Sequence, residues 1–301
     1  MVFRVVNQTT KVMNVTNKSD LKTSIVCGVM DRPEHLRRAL PTWLACPEVG
    51  EVVVVDWSSR EPVASVCPSY NDPRVRIVRV PGQEHWVLSK CCNLGIRMAT
   101  GPFVLRLDAD DLLDPRFFAE HELSASSVFY RADPFRMLRE EDVHLSGVVY
   151  AARHTLLHVN GYNERLTTYG CDDADLVARL RVAGISPLPL DFRLISHIPH
   201  SDELRTINQV VPDPGGVVGC RNRHLGAIYR SMDDNRRRVV QDPWGTKDRM
   251  ATWCGLRGVN YTICFETKFV RPGFVEDRNG VFLFDTIRDM YGRSGAWNPG
   301  V

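Results

Sequence analysis

A chain of 301 residues, 44% apolar and 25% charged, has the make-up of an ordinary globular protein with room for one large domain or two modest ones. Its net charge of +2 spreads no field that would draw it to nucleic acid or an anionic membrane surface. The longest aliphatic run is the valines at 52–55, and the first residues lack the apolar core of a signal peptide. No leader or transmembrane segment is therefore expected, and the expected location is cytoplasmic unless an anchor lies beyond this sequence. The nine cysteines are odd in number and lack CxxC spacing, which favours reduced, buried thiols over a zinc or disulfide framework.

Residues 1–21 form an N-terminal segment, and from Thr23 onward short aliphatic runs alternate with helical patterns. TSIVCGV reads as a buried strand, followed by a helix over PEHLRRALPTWLA that Pro41 should kink or split. EVVVVDW is a second strand and RVRIVRV, at 74–80, a third. Leu88, Cys91, Cys92, Gly95, Ile96 and Ala99 then make an apolar stripe at helical spacing, and GPFVLRLD is a fourth strand. This order predicts an α/β fold on a mostly parallel sheet, in which ligands bind beyond the carboxyl ends of the strands. Asp31, Arg32, Asp56, Asp108 and Asp110 all fall at those ends. Further on, LSGVVYAARHTLLHVNGY suggests a strand and a short helix, CDDADLVARLRVAG a helix ending at Gly184, and PLDFRLISHIPH a strand. Beyond Arg205 the pattern weakens to a loop-like VVPDPGGVVG, a basic helix in RNRHLGAIYRSMDDNRRR, and strands in NYTICFETKFV and GVFLFDTI.

Each candidate motif has a plainer alternative. Asp108 and Asp110 suit a turn before a helix, but two acids at a strand end also suit a divalent cation with positions left open for phosphates. An EF-hand is excluded, because Leu113 stands where glycine is needed and Ala119 where glutamate is. Asp111 and Asp114 are assigned to the turn and the next helix start. His197 and His200 are three apart, and by themselves such a pair is more often structural than metal-binding. On the exit of a strand the pair could reach the same cation as the acids, and carboxylate with imidazole leans from magnesium toward manganese. Asp172, Asp173 and Asp175 open a helix, where the dipole favours acids; the same field favours an ionised carboxylate, which a general base needs. No GxGxxG and no GxxxxGK[ST] occurs, which speaks against dehydrogenase and P-loop chemistry.

In order, these segments resemble the metal-dependent glycosyltransferases of the GT-A fold, above all the β-1,4-galactosyltransferase and chondroitin-polymerase-type families. DRPEHLRRAL is similar to an NRxEHL segment, LSKCCNLGI to AKLLNVGF, and LRLDADDLLDP to the Asp-x-Asp strand end. The block from Ser146 to Leu180 follows GGV…INGF…WGWGGEDDD…RL, and ISHIPHSDE follows MIRHSRD. The likeness covers roughly residues 22–205. Tyr169 stands where those families have a loop tryptophan, Asp172 in place of a glutamate, His197 in place of a methionine, and Ala174 interrupts the acidic run.

The resemblance implies a GT-A-type fold, a single Rossmann-like mixed, mostly parallel sheet flanked by helices. Residues 22–110 would be its nucleotide-sugar-binding half, 111–205 its acceptor and catalytic half, and 206–301 a C-terminal extension of uncertain role. It implies an inverting transferase that moves a sugar from a UDP-sugar to a carbohydrate or glycoconjugate hydroxyl. Asp173 would be the base, with Asp172 binding substrate hydroxyls. The metal, Mn2+ or else Mg2+, would sit on Asp110, His200 and His197, with Asp108 assisting. Arg32, Asp31, Asp56, Lys90, Asn93, Asp108 and Tyr169 would bind the donor. The alternatives are a sugar nucleotidyltransferase, against which the glycine-poor CGVMDRPEH argues, and a degenerate nucleotide- or carbohydrate-binding module. Oligomeric state is open.

Overall fold

The valine run at 52–55 is buried to its last side chain because the strand that contains it is covered on both faces. A computed structural model describes residues 22–66, 72–123, 125–201, 204–205, 207–209, 223–245, 253–255 and 261–265. Its elements in chain order are β1 (Thr23–Val29), α1 (Pro33–Leu44), β2 (Val49–Trp57), α2 (Val63–Val66), β3 (Val75–Val80), α3 (Leu88–Met98) and β4 (Phe103–Asp108). Then come β5 (Asp111–Leu113), α4 (Phe117–Glu120), β6 (Val128–Arg131), two 3-10 turns (Pro134–Arg136 and Glu140–Gly147), β7 (Val149–Ala152) and α5 (Arg153–His158). The described chain finishes with α6 (Asp172–Val182), β8 (Ser186–Pro189), β9 (Ile195–His197), α7 (Arg223–Gln241), β10 (Trp253–Gly255) and β11 (Tyr261–Phe265).

The main sheet runs β10-β11-β3-β2-β1-β4-β7-β6-β8. Strands β3, β2, β1 and β4 are parallel, and β7 lies antiparallel between β4 and β6. In register, Gly28 sits between Val55 and Asp108, and Val29 opposite Asp56, so the carboxyl ends of β1, β2 and β4 form one edge. Alternate residues feed two cores. Ile25, Cys27, Val52 and Val54 meet Leu36, Ala39, Leu40 and Trp43 of α1; Val26, Val53 and Val55 meet α3 and α6. Burying each large aliphatic side chain contributes about 1.5–3 kcal/mol, and both sides of the sheet are covered in this way. Cys27, Cys46, Cys91, Cys92 and Cys171 are buried and unbridged.

The fold departs from the sequence reading in a few places. Pro41 does not split α1, which stays one helix because its buried stripe runs through Trp43, whose Nε1 donates to the Asp111 carbonyl at 2.8 Å. Strands β5, β6 and β8 were not expected: each is four residues or shorter, and β8 is an edge strand carrying Pro187 and Pro189. The strand expected in PLDFRLISHIPH shrinks to Ile195–His197 and pairs with β5 in a separate antiparallel sheet. The basic helix forms as α7, and within NYTICFETKFV the segment Tyr261–Phe265 joins β3 in parallel. The loop expected at VVPDPGGVVG, the strand expected in GVFLFDTI and the N-terminal segment lie outside the described residues. Among the described residues no helix is long and apolar enough to cross a membrane.

Candidate active site

Strand β4 delivers Asp108, the chain turns through Ala109 and Asp110, and β5 pairs with β9 so that Asp111 stands opposite His197. That pairing brings the two histidines to the acids: the Ile198 amide donates to the Asp110 carbonyl at 2.8 Å, and His200 Nε2 lies 2.9 Å from Asp110 Oδ2. His197 Nδ1 lies 3.8 Å from Asp110 Oδ1. One ligand atom from each of Asp110, His197 and His200 falls within 4.8 Å of the others.

The local chemistry of this trio fits a cation. Both ring nitrogens of His197 are buried without a hydrogen-bond partner, an unfavourable state for an imidazole. Burial pushes His197 down to about 4, with His144, His200 and Arg205 adding to the effect against the pull of Asp110, so it is neutral near pH 7 with a lone pair to offer. Burial works against ionisation of Asp110, but the His200 hydrogen bond and the charges of His197 and Arg32 outweigh it and hold the carboxyl at about 2. Arg32 Nη1 approaches both Asp110 Oδ2 (3.3 Å) and His200 Nε2 (3.2 Å), and its Nη2 donates to the Leu204 carbonyl at 2.7 Å.

Asp108 has a different partner. The Arg106 guanidinium, 2% exposed, grips it through two bonds of 3.0 and 2.7 Å. Burial, then the nearby charges of Asp110 and Asp173, push the Asp108 carboxyl upward against Arg106. Asp111 is not the turn acid expected of it: it is fully buried in β5, and its Oδ2 accepts the Asp108 amide at 2.8 Å. Burial and the two neighbouring aspartates raise its carboxyl well above the usual range. Asp114 does hold the turn, accepting from the Arg116 amide and guanidinium.

These groups line a cavity of about 550 Å³ at the carboxyl edge of the sheet, a volume suited to a small-molecule ligand. Arg32, Asp108, Asp110, Tyr169, Asp172, Asp173, His197 and His200 all border it. Asp172 is buried, and burial followed by Asp173 pushes it well up; Asp173 is half-buried, and Oδ1 of each lacks a hydrogen-bond partner. Asp175, third of the acidic run, is tied to Arg179 at 2.7 Å and points away from this chemistry. Four expected donor residues do not line the cavity. Asp31 accepts from Arg60, and Asp56 is fully buried with its oxygens on the Ser59 and Val63 amides and Arg79. Asn93 is tied to the backbone of Tyr162 and to Glu164, and Lys90 is half-buried on α3.

Sequence reasoning passed over Arg106, His144, Arg205 and the α7 residues Ile228, Tyr229 and Met232, all of which line the cavity. Arg106 left a signal, a lone cation in an apolar strand two positions from an acid on the same face. His144 left none; it lies against His197, ring centroids 4.9 Å apart, and its Nδ1 accepts from Arg205 at 2.8 Å.

Two family models match the chain, Glycosyl transferase family 2 over residues 24–122 and the N-terminal domain of galactosyltransferase over residues 127–202. No curated protein is a match in sequence. Among solved structures, the fold is similar to a Drosophila β1,4-galactosyltransferase 7 complexed with manganese, UDP-Gal and xylobiose, with a TM-score of 0.50 and 14% identity over 82% of this chain and 95% of that one. A mannosyltransferase of Pyrobaculum calidifontis complexed with GDP-Man and Mn2+ has a TM-score of 0.49 and 14% identity over 73% of this chain and 75% of that one.

Proposed function

Because the chain is a glycosyltransferase of the GT-A fold, we propose that its cavity holds a UDP-sugar and a carbohydrate acceptor together and transfers the sugar with inversion at the anomeric carbon. The observation that carries this reading is the meeting of Asp110, His197 and His200 with Asp172 and Asp173 in one cavity at the carboxyl edge of the sheet. Asp110, His200 and His197 would hold a divalent ion, manganese in preference to magnesium for a mixed carboxylate and imidazole set. When bound, that ion supplies positive charge against the diphosphate leaving group. The similar Drosophila structure is a complex with manganese, UDP-Gal and xylobiose, which supports donor, ion and acceptor class alike.

Asp173 takes the proton from the acceptor hydroxyl as that oxygen forms its bond to the anomeric carbon and the bond to UDP breaks on the opposite face. Asp172 receives hydroxyls of donor or acceptor, and Tyr169 borders them. Asp108, oriented by Arg106, faces the donor. Arg32 serves the phosphates, while Asp31, Asp56, Asn93 and Lys90 shape the uridine side through the backbone and helix they belong to. Residues 22–110 thus serve the nucleotide and 111–205 the acceptor.

Purified protein given a panel of UDP-sugars is expected to release UDP only when a divalent ion is added. Asp173→Asn is expected to lower transfer by about 10²–10⁴-fold, the usual contribution of a general base, while UDP affinity stays. Native turnover in that variant overturns the assignment. Pyrophosphate released from UTP and a sugar phosphate identifies a nucleotidyltransferase instead, and no release from any donor identifies a binding module.

A further inference from the structure

Helix α7 lies beyond both family matches, which end at residue 202, yet the two most buried polar groups among its described side chains reach one loop. Residues 168–171 lead into α6 along an irregular path, with φ of +93° at Gly170 and +68° at Cys171. A segment bent in this way forms no ladder of its own, so its carbonyls need donors from elsewhere. Asn235 provides them. It is 1% exposed, and its Nδ2 lies 3.1, 3.2 and 2.8 Å from the carbonyl oxygens of Thr168, Tyr169 and Gly170. Its Oδ1 accepts from the Thr168 hydroxyl at 3.1 Å. One turn earlier Ser231, also 1% exposed, donates to the Tyr169 carbonyl at 2.8 Å. Between them, the Met232 carbonyl accepts from Cys171 Sγ at 3.4 Å, and Met232 Cγ would stand 2.6 Å from a Cβ at position 170.

A helix that only needed to pack here would present apolar side chains, because burying an amide or hydroxyl is unfavourable unless it is paired. Both are paired, and both to the same loop. Leu166, Ala178 and Val239 form a small core beside them, and the Arg165–Asp242 ion pair at 2.8 Å continues the seam.

We propose that Asn235, supported by Ser231, is a positioning residue for glycosyl transfer. It fixes Tyr169 and the entry to α6, and through them Asp172 and Asp173, against a metal group carried independently by β4, β5 and β9. The proposal rests on the reading of Asp173 as the base. The physical need is plain: the Asp110, His197 and His200 group is anchored by the β5–β9 pairing, whereas the carboxylates of α6 follow a loop, and the reaction requires the two in fixed register.

Asn235→Asp is the discriminating variant, since it keeps volume and the acceptor for Thr168 but turns a carboxylate oxygen toward the loop carbonyls. The measurements are kcat, the acceptor KM, UDP affinity and amide hydrogen exchange. The expected result is a kcat lower by about 10–100-fold and a raised acceptor KM, the effect of misplacing a reacting group. UDP affinity stays at the native value, and faster exchange is confined to 166–175. Native kcat overturns the proposal. So does a loss of kcat matched by weaker UDP binding and uniformly faster exchange, which marks Asn235 as a general stabiliser. If Asn235→Asp does not fold, Asn235→Ala and Ser231→Ala are judged by the same criteria. Asp173→Asn in the same assay separates the two ideas: an active Asp173→Asn with an impaired Asn235→Asp removes the base and keeps the clamp, and the reverse pattern removes the clamp alone. Should the native protein transfer no sugar, exchange at 166–175 still decides whether Asn235 holds the loop.

Discussion

Gly147 has no side chain where one would collide: a Cβ there would stand 2.0 Å from Arg106 Nη1 and 3.3 Å from Asp108 Oδ2. The glycine therefore makes room for a buried guanidinium, and that guanidinium decides how Asp108 differs from Asp110. One acid is gripped by an arginine, while the other is left facing two imidazoles. Gly147→Ala is expected to cost about 1–3 kcal/mol of stability, as overpacking of a close-fitted core does. It is also expected to lower kcat by turning Asp108 from the donor. Urea unfolding and steady-state kinetics check the two effects separately; native values in both would mean that Arg106 shifts without consequence. His197 teaches a related point. Its unpartnered nitrogens support the proposed ligand role more directly than its spacing from His200 does.

At the scale of elements, Glu51 at the start of β2 fastens three parts of the sheet. Its carboxylate accepts from Ser24 Oγ of β1 at 2.6 Å, and from the Thr100 amide, Thr100 Oγ1 (2.8 Å) and the Gly101 amide (3.2 Å) at the entry to β4. Burial opposes ionisation, but these bonds and Arg76 outweigh it and lower the folded pKa below the ordinary 4.5. A lowered folded pKa means stability that is complete above the unfolded value and is lost as pH falls through the folded one. Glu51→Gln is therefore expected to cost about 1–3 kcal/mol at pH 7, the penalty of a broken buried network. The gap to the native protein should narrow as pH falls below 4.5. Urea midpoints across that range check it, and a gap independent of pH would show that the carboxylate charge is not what holds the strands. Helix α1 shows how packing overrides a local rule: Pro41 removes one backbone donor, but Leu36, Ala39, Leu40 and Trp43 hold both halves to the same core.

Over the whole molecule, the proposed cation joins the end of β4 to the exit of β9, segments almost ninety positions apart that the short β5–β9 pairing brings together. An ion that binds there and not to the unfolded chain adds stability by mass action, about 2.7 kcal/mol at one hundred times its dissociation constant. Manganese is thus expected to raise Tm of the chelator-treated protein and to restore transfer, with magnesium weaker in both. His200→Ala is expected to remove the Tm shift, and a shift that survives in that variant would place the ion elsewhere.

The strands of the central sheet, the apolar stripes of α1 and α3 and the acidic opening of α6 were legible in the sequence, because each depends on periodicity within a dozen neighbouring residues. The meeting of Asp110, His197 and His200 was foreseen through the order of the motifs that carry the family resemblance, not from their spacing alone. What the sequence could not yield is whatever depends on partners distant in the chain. β5, β6 and β8 are too short to show a period, and exist because a neighbouring strand accepts them. The grip of Arg106 on Asp108 and the withdrawal of Asp56 and Asn93 into backbone bonds were decided by tertiary packing. So was the hold of Asn235 on the loop before Asp173. A buried polar group has to find its partner wherever the fold brings one, and local sequence does not say where that is.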